Sequence, residues 1–356
     1  MRPDARLAIQ VFVNHATDPV SPVLTSLGWG PFFDAQLAPD DSALAPMRIA
    51  TVHRSRLTAQ SVTGAVRLSL PAHARTTDFA VGDWALVDPA TQMLSRRLDR
   101  RTLLRRRTEG GRPDQLIAAN VDTLFIVTSC NDDFNPARLE RYLTLANEAT
   151  TRPLIVLTKI DKAGDTAPYV AQAAALQRGL EVVQINARTP EAAQTLAPWC
   201  GPGQTVALIG SSGVGKSTLL NTLTDKQGDD AQATGAIRED DAKGRHTTTA
   251  RSLHPISGGG LVIDTPGMRT LHVSNISDGL DMVFAEIAEL APACRFNDCT
   301  HDHEPGCAIQ AAIADGTVDA GRLDRWRKLL DENRSNTPVE TGPRNNKIRK
   351  TPGKRR

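Results

Sequence analysis

The chain has 356 residues, 40% of them hydrophobic, enough for two or three domains with cores of their own. It has no apolar run of eighteen residues, and its start, Met1 to Arg6, lacks the apolar stretch of a secretory signal. A cytoplasmic protein with no membrane partner is therefore expected. Net charge is only +2 but unevenly spread: residues 341–356 carry seven Lys or Arg and no acid, and Arg96 to Arg112 holds eight Arg against Asp99 and Glu109. Such runs are often solvated surface, but two of them keep an RNA or DNA partner open.

Residues 1–45 read as an N-terminal extension. Val20–Leu27 and Gly28–Phe33 offer some order, while Pro- and Asp-rich flanks argue against an independent core. From Met47 the pattern becomes short β runs separated by turns: Arg48–His53, Ser61–Leu68 and Asp83–Asp88, the last after the Val81-Gly82-Asp83 turn. About five such runs in residues 46–112 predict a small β-barrel, either of the OB type that binds nucleic acid or one that only spaces domains. Residues 113–275 have an α/β rhythm. Val121–Thr128 is a near-continuous apolar run, as buried parallel strands are. Residues 137–149 place Leu139, Tyr142, Leu143 and Ala146 at helical spacing. Further strands at 153–157, 180–185, 206–209 and 261–263 predict a doubly wound parallel sheet with ligands at the carboxyl ends of its strands. Residues 276–334 read as a helical domain, with Leu323, Trp326 and Leu330 on the core face of its last helix, and 335–356 as a basic, disordered tail.

The chemistry gathers around one stretch. Gly210, Ser211, Ser212, Gly213, Val214, Gly215, Lys216, Ser217 and Thr218 lie between an apolar run and a helix start, the context of a phosphate-binding loop. Its glycines let backbone N–H groups converge on phosphate oxygens, and the helix N-terminus adds partial positive charge. Lys216 is then the catalytic cation that reaches the β- and γ-phosphates, and Ser217 holds Mg2+. Thr158, Lys159, Ile160 and Asp161 directly follow the 153–157 strand. A carboxylate there accepts both the N1–H and the 2-amino hydrogens of guanine, whereas adenine has no N1–H, so GTP is the expected nucleotide. The lysine stem can lie along the base plane. Asn186 and Ala187, after the 180–185 strand, can offer a backbone N–H to guanine O6. Asp264, after the 261–263 strand, is placed to hold Mg2+ through water, and the Gly267 N–H to sense the γ-phosphate. Between these lies Gly244–Thr249, in which Thr248 suits the magnesium shell.

The order is unusual, because the base motif precedes the phosphate loop. A circular permutation accommodates this on the same sheet when the termini are close. It also makes the segment after Asp264–Gly267, which moves when the γ-phosphate leaves, run directly into the C-terminal region. There Cys294, Cys299 and Cys307 cluster with His301, and three thiolates with one imidazole make a closed, structural Zn2+ site. His303 is the alternative fourth ligand, while Cys130 and Cys200 stand alone. Where many GTPases carry a water-orienting glutamine, after the glycine of the Asp264–Gly267 motif, this chain has Met268. His246, in the Gly244–Thr249 loop, is the candidate replacement, with an RNA or loop-backbone contact as the other reading.

The order T-K-I-D, G-S-S-G-V-G-K-S, G-R-H-T-T-T, D-T-P-G and C-x4-C-x-H-x5-C, with V-G-D and F-N-P-A-R-L-E-R-Y-L before it, resembles the ribosome small-subunit-dependent GTPase A family over about residues 47–330. The resemblance implies an OB barrel, a circularly permuted P-loop GTPase domain of α/β class and a helical zinc domain. It implies GTP, Mg2+ and one Zn2+ per chain as cofactors, the small (30S) ribosomal subunit and its 16S rRNA as partners, and a monomer. It further implies a role in late maturation of that subunit, which would stimulate hydrolysis. Thr158 stands where the family motif more often has Asn, and Asn186 where Ser is more usual. The rival reading is an RNA-binding module that uses GTP only as a structural or switching ligand.

Overall fold

The computed structural model describes residues 21–106, 114–226, 251–265 and 276–337. Within the extension the described residues start at 21. Two short helices, α1 (Pro22–Ser26) and α2 (Pro31–Asp34), start at prolines whose preset φ suits a first helical turn. They bring Trp29 and Phe33 into a buried cluster with Trp84, Leu86, Leu98 and Leu261. Those partners lie far along the chain, so the described part of the extension packs into a core shared with two other parts of the molecule.

Five strands follow: β1 (Ala45–Val52), β2 (Leu57–Ser61), β3 (Gly64–Leu68), β4 (Trp84–Val87) and β5 (Leu94–Arg97). They pair antiparallel in the order β3-β2-β1-β4-β5, and a parallel bridge between Ser69 and Met93 brings the two outer strands together. Ile49, Leu57, Ala59, Leu68, Ala85 and Val87 fill the interior. Ser61–Leu68, expected as one strand, is a hairpin, because the chain reverses at Val62-Thr63 and Gly64 takes φ +120°.

A ribbon of β6 (Leu103–Arg106) and β7 (Gln115–Ala119) leads into the parallel sheet. In chain order come β8 (Thr123–Ser129), α3 (Pro136–Glu148), β9 (Arg152–Thr158), α4 (Ala167–Ala174), β10 (Glu181–Gln184), α5 (Glu191–Leu196), β11 (Thr205–Gly210), α6 (Lys216–Thr224), β12 (Ser252–Pro255) and β13 (Leu261–Asp264). The strand order is β10-β9-β8-β11-β13-β12, all parallel except the antiparallel β12. The middle of each central strand is apolar because both of its faces are covered. Leu124, Ile126, Ile155 and Leu157 face α3, while Phe125, Val127, Leu154 and Val156 face α5 and α6. Beyond β12 the sheet continues into β1 through the pair Thr51 and Ser252, so barrel and parallel sheet are joined edge to edge.

The C-terminal part is α7 (Ser277–Val283), α8 (Ala285–Leu290), α9 (Ala308–Ala314) and α10 (Ala320–Asn336). α7 crosses α3 so closely that a Cβ on Gly279 would lie 2.4 Å from the Thr144 carbonyl oxygen. α10 is capped by Asp319, whose carboxylate accepts the Arg322 N–H at 2.8 Å. It buries Leu323 and Leu329 fully and packs Trp326 and Leu330 partly, so the buried face is wider than the sequence spacing suggested. Among the described residues no helix is long and apolar enough to cross a membrane.

Candidate functional site

The strands of the parallel sheet end together, and the predicted residues sit on those ends. After β11 the loop Gly210–Gly215 turns into α6 with Gly213 and Gly215 at φ +83° and +99°. Gly210 is obligatory for a second reason: a Cβ there would lie 2.1 Å from the Val127 carbonyl oxygen of β8. The ammonium of Lys216 donates to the carbonyls of Gly210 and Ser211 at 2.9 and 2.5 Å, folding the side chain back over the concavity it helps to form. Ser217 and Thr218 follow in the first turn of α6, half-buried.

The base motif is tied to this loop. Thr158, fully buried at the end of β9, donates its hydroxyl to Val214 O at 2.6 Å and lies 3.1 Å from Thr128 O. Lys159 then takes a left-handed conformation, φ +57°, uncommon for a side chain of its size, and its ammonium lies 3.7 Å from Asp133. A 3-10 turn, Ile160–Lys162, presents Asp161 to solvent. On the neighbouring strand end, Asn186 accepts the Arg188 N–H at 3.1 Å on its own side chain. The Ala187 carbonyl accepts the Thr222 hydroxyl of α6 at 2.7 Å, which fastens this loop to the phosphate-loop helix. Asp264 ends β13 buried and is paired in register with Leu208 of β11, next to the strand that feeds the loop. The structure therefore brings Thr158–Asp161, Asn186–Ala187, Gly210–Thr218 and Asp264 to one edge. Thr248, His246 and Gly267 lie outside the described residues.

Several neighbours were not singled out as site residues in the sequence. Arg138 and Tyr142 of α3 both reach the Ser211 hydroxyl, the arginine at 2.5 Å. Burial pushes the Tyr142 phenol up, so it stays protonated. Their i, i+4 spacing was visible, but not the loop that their helix face meets. His254, on β12 beside Asp264, is held below the usual imidazole range by burial and by Lys226, against the pull of Asp264. Its neutral ring accepts from Lys226 at Nδ1 (3.3 Å), so Nε2–H donates to the Ser252 hydroxyl at 2.8 Å.

The cysteine cluster is a second site. Cys294, Cys299, His301 and Cys307 each point one ligand atom inward, and these atoms all lie within 4.8 Å of one another. His301 Nδ1 is 3.5 Å from Cys294 Sγ and 3.6 Å from Cys307 Sγ, and the two sulfurs are 3.9 Å apart. Zn–S bonds of about 2.3 Å and a Zn–N bond of about 2.0 Å in a tetrahedron demand separations close to these, so the donor set fits one zinc. His303 is exposed and turned toward Asp302, so His301 is the imidazole that lies with the three thiols. The loop is shaped by Glu304, whose carboxylate accepts from Thr300, Asp302 and His303 backbone N–H groups and the Thr300 hydroxyl. Those donors hold Glu304 well below the usual carboxylate range.

The basic run resolves into working parts. Arg96 pairs with Asp41 (2.5 Å), Arg100 with buried Asp83 (2.6 Å) and Arg101 with Asp122 (2.9 Å), so three of its arginines hold segments together. Arg107 and Arg112 lie outside the described residues.

A phosphate loop after β11, a base motif that precedes it in sequence and a β13 carboxylate beside it define a circularly permuted P-loop GTPase. Solved structures share the fold: YjeQ from Thermotoga maritima matches with a TM-score of 0.58 at 23% identity, covering 81% of this chain and 98% of that one. YloQ, described as a circularly permuted GTPase, matches with a TM-score of 0.56 at 22% identity, covering 85% and 99%. The family model for the RsgA GTPase matches residues 97–274. A relative in Mesorhizobium japonicum, named small ribosomal subunit biogenesis GTPase RsgA, is 65% identical over 94% of this chain and 97% of its own length. One in Vibrio vulnificus, small ribosomal subunit biogenesis GTPase RsgA 2, is 49% identical over 90% and 91%. The chain belongs to the RsgA GTPase family. It is a GTP hydrolase, and the family implies GTP and Mg2+ at the phosphate loop.

Proposed function

We propose that the chain binds the small (30S) ribosomal subunit and its 16S rRNA as a cytoplasmic monomer, late in the maturation of that subunit, and that the subunit stimulates GTP hydrolysis. The names of its relatives support a role in small-subunit biogenesis. The observation that carries the site assignment is the hydrogen bond from Thr158 to Val214 O, which joins the base motif to the phosphate loop as one guanine-nucleotide cradle.

In this reading Asp161 accepts the guanine N1–H and 2-amino hydrogens, and the Ala187 N–H meets O6. Backbone N–H groups of Ser212 to Thr218 and the Lys216 ammonium bind the phosphates. Ser217, Thr248 and Asp264 hold Mg2+, which neutralises charge on the β- and γ-phosphates when bound. Gly267 senses the γ-phosphate, and His246 positions the attacking water. Cys294, Cys299, His301 and Cys307 hold one zinc that shapes the C-terminal part. The parts of the chain divide as 1–45 extension, 46–112 OB-type barrel, 113–275 GTPase domain, 276–334 zinc domain and 335–356 basic tail. The strand order β3-β2-β1-β4-β5 with the Ser69–Met93 bridge supports the OB reading of the barrel.

Turnover measured with and without purified small subunits tests the proposal. Stimulation is expected, and equal rates would overturn subunit dependence. His246→Ala should keep GTP affinity and subunit docking, yet lower single-turnover hydrolysis on saturating subunits by roughly 10²-fold. An unchanged rate would remove His246 from the water's neighbourhood.

A further inference from the structure

We propose that Arg138 is a second phosphate-binding cation of this site, supplied from within the chain, and that on GTP binding it leaves the Ser211 hydroxyl for the γ-phosphate. The inference deepens the site assignment above and rests on the phosphate-loop reading. Three observations carry it.

The first is position along the loop. The base motif touches the loop at Val214, through the Thr158 hydroxyl at 2.6 Å. Lys216 and Arg138 touch it at Ser211, the lysine on the carbonyl at 2.5 Å and the arginine on the hydroxyl at 2.5 Å. A P-loop lysine serves the β- and γ-phosphates, so the end of the loop shared by Lys216 and Arg138 is the γ-phosphate end. The second is how Arg138 is held. It stands in the first turn of α3, where the Asn135 side chain accepts the Arg138 backbone N–H at 3.0 Å and Pro136 presets the helix start. The helix is fixed, so the guanidinium is delivered to the loop from a rigid base.

The third is what Arg138 lacks. Arg138 is half-buried, yet among the described residues it makes no ion pair with a carboxylate; its partner is one neutral hydroxyl. Its helix neighbours contrast sharply: Glu140 is bound by Arg322 and Arg325, and Arg141 pairs with Glu332 at 2.7 Å. A planar guanidinium matches two oxygens of a phosphate, and a partly desolvated one without a counter-charge gains most from an anion.

The reaction needs such charge. The water oxygen bonds to the γ-phosphorus and the bond to the β–γ bridging oxygen breaks. Its electron pair stays on the β-phosphate of GDP, and the water's proton passes to phosphate or solvent. Arg138 transfers no proton; it donates hydrogen bonds to oxygens that carry the charge.

The test uses the full chain carrying Arg138→Ala and Arg138→Lys. Affinities for GDP and for a non-hydrolysable GTP analogue are measured, together with single-turnover GTP hydrolysis, and circular dichroism checks folding. Arg138→Ala should lower single-turnover hydrolysis by about 10³-fold and weaken the analogue at least tenfold more than GDP, with Arg138→Lys recovering part of both. A residue that only steadied the loop would weaken both nucleotides alike, and that result would overturn the proposal, as would unchanged hydrolysis. If Arg138→Ala does not fold, the lysine variant decides by the same two ratios, because it retains the charge but not the fork. Lys216→Ala is the control for the underlying reading. Retained nucleotide affinity in that variant would sink the loop assignment itself, whereas its loss leaves the Arg138 result to stand alone.

Discussion

Asp161 and Lys159 show how one backbone angle prepares a binding site. Lys159 sits at φ +57°, a conformation that costs a residue with a Cβ of order 1 kcal/mol and is kept where the surroundings over-determine it. Here buried Thr158 anchors the strand end, and the reversal at Lys159 turns Asp161 outward at the edge where the phosphate loop lies. In the proposed function the chemistry of base choice rests on this one carboxylate. Asp161→Asn should weaken GTP relative to xanthosine triphosphate, because xanthine has a C2 carbonyl where guanine has an amino group and an amide can donate to it. Competition binding reads this directly. No relative shift toward xanthosine triphosphate would mean that Thr158–Asp161 is not the base site.

Helix α3 and the cysteine loop are held by contacts from distant parts of the chain. Within two turns α3 presents Arg138 and Tyr142 to the phosphate loop and Glu140 and Arg141 to α10. Glu140 has no exposed side chain; burial pushes its carboxyl up while Arg325 and Arg322 pull it back. The helix is thus clamped between nucleotide site and C-terminal part. The cysteine loop is held differently, by ligand geometry around His301, whose carbonyl accepts from Gln310 at 2.5 Å and from Arg327. Its folding should therefore depend on metal. Cys299→Ser is expected to lower zinc content from about one per chain towards zero. It should also raise amide exchange across residues 290–330 and spare the phosphate loop. Full zinc retention by elemental analysis would move the ligand set elsewhere.

Across the whole molecule, a single buried arginine joins three segments. Arg48 of β1 donates to Leu27 O in the extension, to Gly82 O (3.3 Å) before β4 and to Asn120 O (3.1 Å) before β8. Burial lowers its pKa to about 10, so it remains charged at neutral pH. Asn120 reinforces the junction by donating its side-chain amide to the same Gly82 carbonyl at 3.0 Å. Arg48→Ala would strand two buried acceptors, the Leu27 and Asn120 carbonyls, and leave a void, costing about 3 kcal/mol or more. Urea unfolding measures it. A change below about 1 kcal/mol would show that edge pairing of β1 with β12 and the Trp29–Phe33 cluster hold the parts together without it.

What the chain determined by itself was whatever depends on local pattern. Apolar runs such as Val121–Thr128 marked buried strands, since a strand covered on both faces has no polar face to show. The phosphate loop, Thr158–Asp161 and the cysteine spacing were legible because each chemistry needs particular residue types within a few positions. Even the permutation could be read, as it is an order of motifs. Tertiary structure alone decided what depends on residues distant in sequence. The burial of Glu140 against Arg322 and Arg325 is one case, since those arginines lie 182 and 185 residues further on. Arg48 is buried by partners from three segments, and Ser61–Leu68, expected as one strand, is a hairpin. The choice of His301 over His303 likewise came from geometry. The two are two residues apart with the same ligand chemistry, and only the fold turns one ring inward among the thiols and the other out to water.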